Sequence, residues 1–214
     1  MRVLQSVKTK MGNNIELVTA DENLSGNKVL VIGVFHGDEP QGKYLIDKYL
    51  SVNSFNVSKL FIPCLNPDGM KNNTRTNANG VDLNRNFPTK NWGEDTSKAG
   101  SNPENYYGGK SPASEIETQF VVDIIEKYKP ELILTLHAPY KIVNYDGPAE
   151  EIAKKISAII GYPVEASIGY PTPGSFGTYC GVERNIPTIT LELDEEISVD
   201  KLEASVFEIF DKLL

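Results

Sequence analysis

The 214-residue sequence is poor in cysteine and histidine. Its two cysteines, Cys64 and Cys180, are too few for a disulfide framework and do not have the number or spacing of a structural zinc site. Its two histidines are His36 and His137. Chemistry that needs two imidazole groups must therefore use this pair.

Long apolar runs and an excess of positive charge are also lacking. No uncharged stretch approaches the roughly 20 apolar residues of a membrane-spanning helix. The N-terminal segment has no apolar run that resembles a signal peptide. The 21 basic residues are outnumbered by 29 acidic ones, and the net charge of -8 repels nucleic acid phosphates and anionic lipids. We therefore expect a cytoplasmic protein that binds neither nucleic acid nor membranes.

What is present is the composition and pattern of one α/β domain. Hydrophobic residues make up 40% and charged residues 23%, which is typical of globular proteins. Buried-type strand patterns alternate with amphipathic helix patterns. The strands are expected at 28–35, 59–65, 131–136, 162–167 and 187–193, and the helices at 38–50, 111–129, 147–160, 175–184 and 198–214. The alternation predicts a mixed, largely parallel, twisted sheet with helices on both faces.

Two helix starts carry specific expectations. Asp38 is positioned to cap the first helix, and Ser114 with Glu117 has the spacing of a capping box at the start of the helix over 111–129. Between residues 66 and 110 the chain is punctuated by asparagine, glycine and proline. Loops of this length inside compact domains are usually functional.

An H-x-x-E pair, His36 and Glu39, follows the first buried strand. Alone, it also suits a histidine bonded to backbone and an acid that complements a helix dipole. His137 ends another buried strand, and the carboxyl ends of parallel strands meet at one edge of a sheet. Two imidazoles and one carboxylate leave a fourth position open to water, as in hydrolytic zinc sites. Zinc lowers the pKa of bound water towards ~7.

Further motifs stand in a fixed order between His36 and Glu192. They read HGDEPQG, NPDG, GVDLNRNFP, SEIET, LH and TLEL. In this order they resemble the zinc carboxypeptidase family, the carboxypeptidase A-like metallopeptidases. The resemblance implies that residues 1–214 form a single catalytic domain. It also implies one zinc ion per chain, held by three ligands: His36, Glu39 and His137.

The resemblance implies the remaining roles as well. Glu192 is the general base, and Arg75 polarises the scissile carbonyl. Asn84 and Arg85 bind the free carboxylate of the substrate. Asp82 accepts a hydrogen bond from the first ligand histidine, and Tyr170 corresponds to a mobile tyrosine that closes over substrate. A cis peptide bond is expected between Ala138 and Pro139.

Physical chemistry supports several of these roles but leaves alternatives open. Arginine binds a carboxylate bidentately, although an arginine in a polar loop can instead form a surface ion pair. A glutamate flanked by two leucines is costly to bury without a role, but Glu192 could lie on the solvent face of an edge strand. Tyr170 could be a packed loop aromatic. Arg75 stands closer to Arg85 than the corresponding pair does in the digestive enzymes.

The short chain and the stretches SPASEIET, TPGSFGTYCG and IPTITLEL look most like the bacterial murein tripeptide amidases. These enzymes cut the bond between γ-D-glutamate and diaminopimelate. The resemblance implies a zinc-dependent hydrolase that cleaves an amide bond next to a free carboxylate, in a peptide or a murein peptide. The specificity pocket is expected between Tyr170 and Glu192.

Two alternative functions remain. A deacylase similar to aspartoacylase or succinylglutamate desuccinylase shares the H-x-x-E, D-L-N-R and late histidine elements, whereas NPDG and the TLEL glutamate favour a peptidase. A non-catalytic module that binds peptide carboxylates would lack a ligand or the base. Every expected position is filled in this sequence.

Overall fold

A computed structural model describes residues 1–20, 28–52, 59–94 and 103–213. These residues contain one eight-stranded sheet. The strands are β1 (Arg2–Lys8), β2 (Asn14–Thr19), β3 (Val29–Gly33), β4 (Lys59–Ile62), β5 (Leu132–His137), β6 (Ile142–Asp146), β7 (Val164–Glu165) and β8 (Thr188–Glu192).

The sheet is mixed, and its centre is parallel. The strand order is β1-β2-β4-β3-β5-β8-β6-β7, and the four strands from β4 to β8 in this order are parallel to one another. A β1–β2 hairpin is antiparallel to β4 at one edge, and β6 is antiparallel to β8 at the other. This arrangement confirms the predicted mixed, largely parallel sheet.

Helices cover both faces of the sheet, as predicted. They are α1 (Gln41–Val52), α2 (Pro67–Asn72), α3 (Ile116–Tyr128), α4 (Glu150–Ile160) and α5 (Glu203–Leu213). Apolar residues of α1, α4 and α5 form one buried layer, and those of α3 join the other layer on the opposite face. None of the helices in the described ranges is long and apolar enough to cross a membrane. Both cysteines are buried and free.

The central strands explain why the site forms at one edge. Every residue of β3 and β5 is buried, which is expected for parallel strands covered on both faces. His36 follows β3, while His137 and Glu192 end β5 and β8 and pair with each other in register. Three of the predicted site residues thus meet at the carboxyl ends of adjacent strands.

Several local predictions were wrong. The helix predicted from Asp38 begins at Gln41. The capping box is absent, since α3 has Glu115 as its N-cap residue with no side-chain cap hydrogen bond, and Ser114 Oγ instead donates to Glu115 Oε1. The short helix predicted over 175–184 is present, and it contains a π-helix, Thr178–Val182.

Three strands, β1, β2 and β6, were not predicted from the sequence. Strands β1 and β6 are only partly buried, so that neither shows the continuous apolar run of the central strands. Strand β2 reads NIELVT and lies between β1 and β4. A strand that is only partly buried carries a weaker apolar pattern than a central one.

Candidate metal centre

A cavity of about 320 Å³ opens at the carboxyl ends of β3, β5 and β8. Every predicted site residue lines it except Asp82, which lies behind His36. The lining includes His36, Glu39, Arg75, Asn84, Arg85, His137, Tyr170 and Glu192. Residues spread over most of the chain therefore share one cavity.

The two histidines and Glu39 face one another inside this cavity. His36 Nδ1 lies 2.8 Å from Glu39 Oε1, and His137 Nδ1 lies 3.0 Å from Glu39 Oε2. The two Nδ1 atoms are 3.3 Å apart. The amide N–H of Ala138 donates to Glu39 Oε2 over 3.2 Å, which helps to orient the carboxylate.

These three side chains fit a zinc ion. Their ligand atoms lie within 4.8 Å of one another, and two imidazole nitrogens with one carboxylate form the donor set of an open hydrolytic site. Burial alone would raise the pKa of Glu39, but the charge on His36 and hydrogen bonds from both histidines hold it well below its usual value. Glu39 is therefore an ionised carboxylate, which is the form that binds a metal.

Asp82 orients the first histidine from behind. It is fully buried, and its Oδ1 lies 3.2 Å from His36 Nε2, while Oδ2 accepts hydrogen bonds from Arg75 Nε and Nη2 over 3.1 and 2.9 Å. Burial would raise the pKa of Asp82, but Arg75 and His36 outweigh it and lower the pKa. A carboxylate on the outer nitrogen of a ligand histidine directs the other nitrogen towards the metal.

Both arginines lie close to one aromatic ring. The guanidinium carbons of Arg75 and Arg85 are 5.0 and 5.6 Å from the centroid of the Tyr106 ring. Arg85 is only 2% exposed, so it is not the surface residue of the alternative interpretation. Its Nη1 donates to Asn84 O over 2.6 Å, and its buried Nε has no hydrogen-bond partner in the described part of the chain.

Asn84 is held beside Arg85 by a hydrogen bond from a distant part of the chain. Its Oδ1 accepts a hydrogen bond from the amide N–H of Phe176 over 2.9 Å. Its NH₂ group is a hydrogen-bond donor. Neutral and charged donors therefore lie next to each other in the cavity, a combination that suits a carboxylate.

Glu192 enters the cavity from a central strand. It is 6% exposed, and β8 lies between β5 and β6, so the alternative of a solvent-facing residue on an edge strand is wrong. Among the described residues, its Oε2 has no hydrogen-bond partner. Burial raises the pKa of Glu192. A buried carboxylate with a raised pKa and a free oxygen suits proton transfer.

Tyr170 lines the outer part of the cavity, with Tyr140 also in the lining. Burial raises the pKa of its hydroxyl, which is therefore protonated at neutral pH. The peptide bond between Ala138 and Pro139 is cis, which confirms the prediction.

The sequence profile of the zinc carboxypeptidase family matches residues 1–152, which include seven of the predicted site residues. The chain belongs to the zinc carboxypeptidase family. It is therefore related to metallopeptidases, which are hydrolytic enzymes. The family match favours the peptidase interpretation over the deacylase.

This chain is similar to murein peptide amidases and to a carboxypeptidase A. Murein peptide amidase A of Escherichia coli K12 is 32% identical over 185 residues, which cover 83% of this chain and 76% of the relative. The structure of a murein-tripeptide amidase from Escherichia coli O157 superposes with a TM-score of 0.83 at 28% identity, covering 96% of this chain and 88% of the other. A carboxypeptidase A from Helicoverpa armigera shares the fold, with a TM-score of 0.75 at 20% identity over 97% and 66% of the two chains.

Sequence reasoning missed one residue of this zinc carboxypeptidase site. Tyr106 lies in the asparagine-rich loop, where an aromatic residue gives no signal of its contact with two arginines. Asn77 lies in the same loop, and its Nδ2 donates to Glu115 Oε2 over 2.8 Å.

Proposed function

We propose that this zinc carboxypeptidase homologue hydrolyses the amide bond next to a free carboxylate in a murein peptide. One observation carries the proposal: the zinc-type cluster, the unpaired oxygen of Glu192 and the buried guanidinium of Arg85 all face one cavity. The named relatives are murein peptide amidases, which supports a murein peptide as the substrate. We further propose that residues 1–214 form one catalytic domain, which the single sheet supports. The cytoplasmic location stays a prediction.

Arg85 and Asn84 would bind the free carboxylate of the substrate. The Arg85 guanidinium is held by Asn84 O and by the Tyr106 ring, so its position is set before substrate arrives. Bidentate arginine–carboxylate contacts fix orientation as well as affinity. Only an amide bond close to a free carboxylate would then reach Glu192.

His36, Glu39 and His137 would hold one zinc ion per chain. When bound, zinc supplies Lewis acidity and a water of lowered pKa. Asp82 keeps the Nδ1 atom of His36 directed at Glu39 and His137 through its contact with Nε2.

Glu192 would move the proton. Its Oε2 has no hydrogen-bond partner in the described ranges and can take a proton from the attacking water, then return it to the nitrogen of the leaving amine. Arg75 would donate from Nη1 to the carbonyl oxygen that gains negative charge, while Nε and Nη2 remain bound to Asp82. Tyr170 lines the same cavity and would cover the substrate.

A substrate panel tests the proposal. The zinc-loaded protein is assayed with γ-D-glutamyl-diaminopimelate peptides, with ordinary peptides that end in a free carboxylate, and with N-acyl amino acids. We expect cleavage of the γ-D-glutamyl bond at the highest kcat/KM. Cleavage of N-acyl amino acids alone would overturn the proposal in favour of a deacylase, and no cleavage by a zinc-loaded protein would favour a non-catalytic module.

Arg85→Lys and Lys90→Ala make a matched pair for the carboxylate role. Lysine keeps the charge of Arg85 but loses the planar pair of donors. We expect Arg85→Lys to raise KM by about 10-fold or more, which corresponds to one charge-assisted hydrogen bond. Lys90→Ala removes a nearby exposed cation and should leave KM unchanged.

A further inference from the structure

Tyr106 contacts both arginines of the cavity. It ends a short 3₁₀-helix, Pro103–Tyr106, and its side chain is half-buried. The guanidinium carbon of Arg75 lies 5.0 Å from the centroid of the Tyr106 ring, and that of Arg85 lies 5.6 Å from it. Both distances are within the roughly 6 Å at which an aromatic ring attracts a cation. One ring therefore interacts with two cations that have different proposed roles.

The backbone next to Tyr106 is fixed to the segment that carries Arg85. The amide N–H of Asp82 donates to Tyr107 O over 2.9 Å. Gly108 packs directly against the arginine backbone, since a Cβ atom on Gly108 would lie 2.6 Å from Arg85 O. A larger residue at position 108 would push the two segments apart. The ring is thus attached to the same part of the chain as the arginine that it contacts.

The charges around the two arginines explain why an aromatic ring suits this position better than a carboxylate. Arg75 is paired with Asp82, but no carboxylate lies within ion-pair distance of Arg85 in the described ranges. The buried Nε of Arg85 has no hydrogen-bond partner there either. A carboxylate in place of the ring would form a salt bridge with Arg85 and compete with the substrate for its donors. The negative face of a ring attracts the guanidinium group without taking up a pair of its N–H groups.

We propose that Tyr106 is a positioning residue for both arginines. Its ring holds Arg85 in place for the free carboxylate of the substrate, and it holds Arg75 in place for the carbonyl oxygen of the scissile amide. This inference rests on the proposed function. It predicts that loss of the ring changes two kinetic constants. A displaced Arg85 binds the substrate more weakly and raises KM, whereas a displaced Arg75 stabilises the transition state less and lowers kcat.

Steady-state kinetics of Tyr106 variants test the role of the ring. Tyr106→Leu removes the ring, whereas Tyr106→Phe keeps it. We expect Tyr106→Leu to raise KM and to lower kcat by about 3- to 10-fold each, because a cation–π contact contributes about that much. Tyr106→Phe should keep both constants close to those of the wild type. Tyr107→Leu is the matched control, since Tyr107 is the next residue, is exposed and has no cation–π contact with an arginine in the described ranges.

Fluorinated phenylalanines at position 106 separate the charge of the ring from its shape. Each added fluorine withdraws electron density from the face of the ring and weakens its attraction for a cation, while the shape of the side chain is nearly kept. We expect KM to rise and kcat to fall stepwise with fluorine content. Identical constants for all members of the series would mean that the ring only fills space, and they would overturn the proposal. The series also provides the test if Tyr106→Leu does not fold.

A measurement on the arginines themselves separates this inference from the proposed function. NMR spectroscopy of the zinc-loaded protein without substrate follows the exchange of the Nε–H protons of Arg75 and Arg85 with water. We expect both protons to exchange faster in Tyr106→Leu than in the wild type, Tyr106→Phe or Tyr107→Leu. If no peptide is cleaved by the wild type but this difference is observed, the proposed function fails and the role of Tyr106 stands. If peptides are cleaved and Tyr106→Leu does not differ from Tyr106→Phe in exchange, KM and kcat, the role of Tyr106 is overturned.

Discussion

Gly177 lies directly against the carboxylate of Asp146, and a methyl group at position 177 would come within 2.0 Å of Asp146 Oδ2. The glycine is therefore required by the neighbouring carboxylate rather than by its own backbone, since its conformation is not left-handed. The space at position 177 and the side chain at position 146 are therefore a single packing feature.

Gly177→Ala should destabilise the protein by about 1 to 3 kcal/mol through overpacking. Urea unfolding of Gly177→Ala, Asp146→Ala and the double variant provides the measurement. The Gly177→Ala substitution should lower the free energy of unfolding much less in the Asp146→Ala background than in the wild type. Equal costs in both backgrounds would mean that the clash lies elsewhere.

Asp82→Asn should weaken zinc binding by about 10- to 100-fold, because the carboxylate orients His36 and increases its basicity. Arg75 would also lose the negative charge that now faces its Nε and Nη2 atoms. Zinc affinity is measured by competition with a chelator. Asp68→Asn is the matched control, since Asp68 is equally buried but accepts hydrogen bonds from Thr9, Met11 and Asn13 instead. Unchanged zinc affinity in Asp82→Asn would contradict the orienting role.

Glu192→Gln should lower kcat by about 100- to 10,000-fold, the usual contribution of general acid–base catalysis. Zinc content and KM should change little, because the amide keeps the shape of the side chain. Glu117→Gln serves as the control: Glu117 is also buried, and burial likewise raises its pKa, but it lies outside the cavity. Steady-state kinetics of both variants decide the point, and a fully active Glu192→Gln would exclude this residue as the base.

Metal analysis of the purified protein should find about one zinc per chain, and chelation should lower the midpoint of thermal unfolding. A ligand at 100 times its dissociation constant stabilises the folded state by about 2.7 kcal/mol. Glu39→Gln should lose both the zinc and this stabilisation. Glu115→Gln, which alters a buried glutamate bound by Asn77 and Asn79, should keep both. Zinc retained at full occupancy in Glu39→Gln would refute the ligand set.

Asp146 should make stability depend on pH between about 4 and 6. Its pKa is raised from 3.8 to about 6 by burial, so the folded state binds the proton more tightly than the unfolded chain. The stability this proton provides is complete below about pH 4 and is lost as the pH rises through 6. Relative to Asp146→Asn, the wild type should lose about 2 to 3 kcal/mol of unfolding free energy across this window. The difference between the unfolding free energies of the two proteins excludes the titration of Cys180 and Glu192, because both residues are present in each protein. A difference that does not change with pH would contradict the burial of the Asp146 carboxylate.

Most of the central fold could be predicted because its signals are local. The continuous apolar runs of β3, β5 and β8 show that these strands are buried on both faces, and the residues at their ends then share an edge. The half-exposed strands β1 and β6 were missed because partial burial leaves no continuous run. Helix α3 was predicted, but the residues at its N-terminus do not form the predicted capping box. Glu115 instead accepts hydrogen bonds from the side-chain amides of Asn77 and Asn79 in a distant loop, and from the Ser114 hydroxyl.

By itself, the sequence determined which side chains could bind a metal. With only two histidines, and with Glu39 three residues after one of them, the donor set was almost forced, and the ordered motifs added Glu192 and Arg85. Only the tertiary structure decided how these groups are oriented and which distant residues contact them. Asp82 and His36 are 46 residues apart, and Asp146 meets Gly177 across the gap between a strand and a helical segment. Such contacts depend on the register and packing of distant segments, and no local pattern of residues records them.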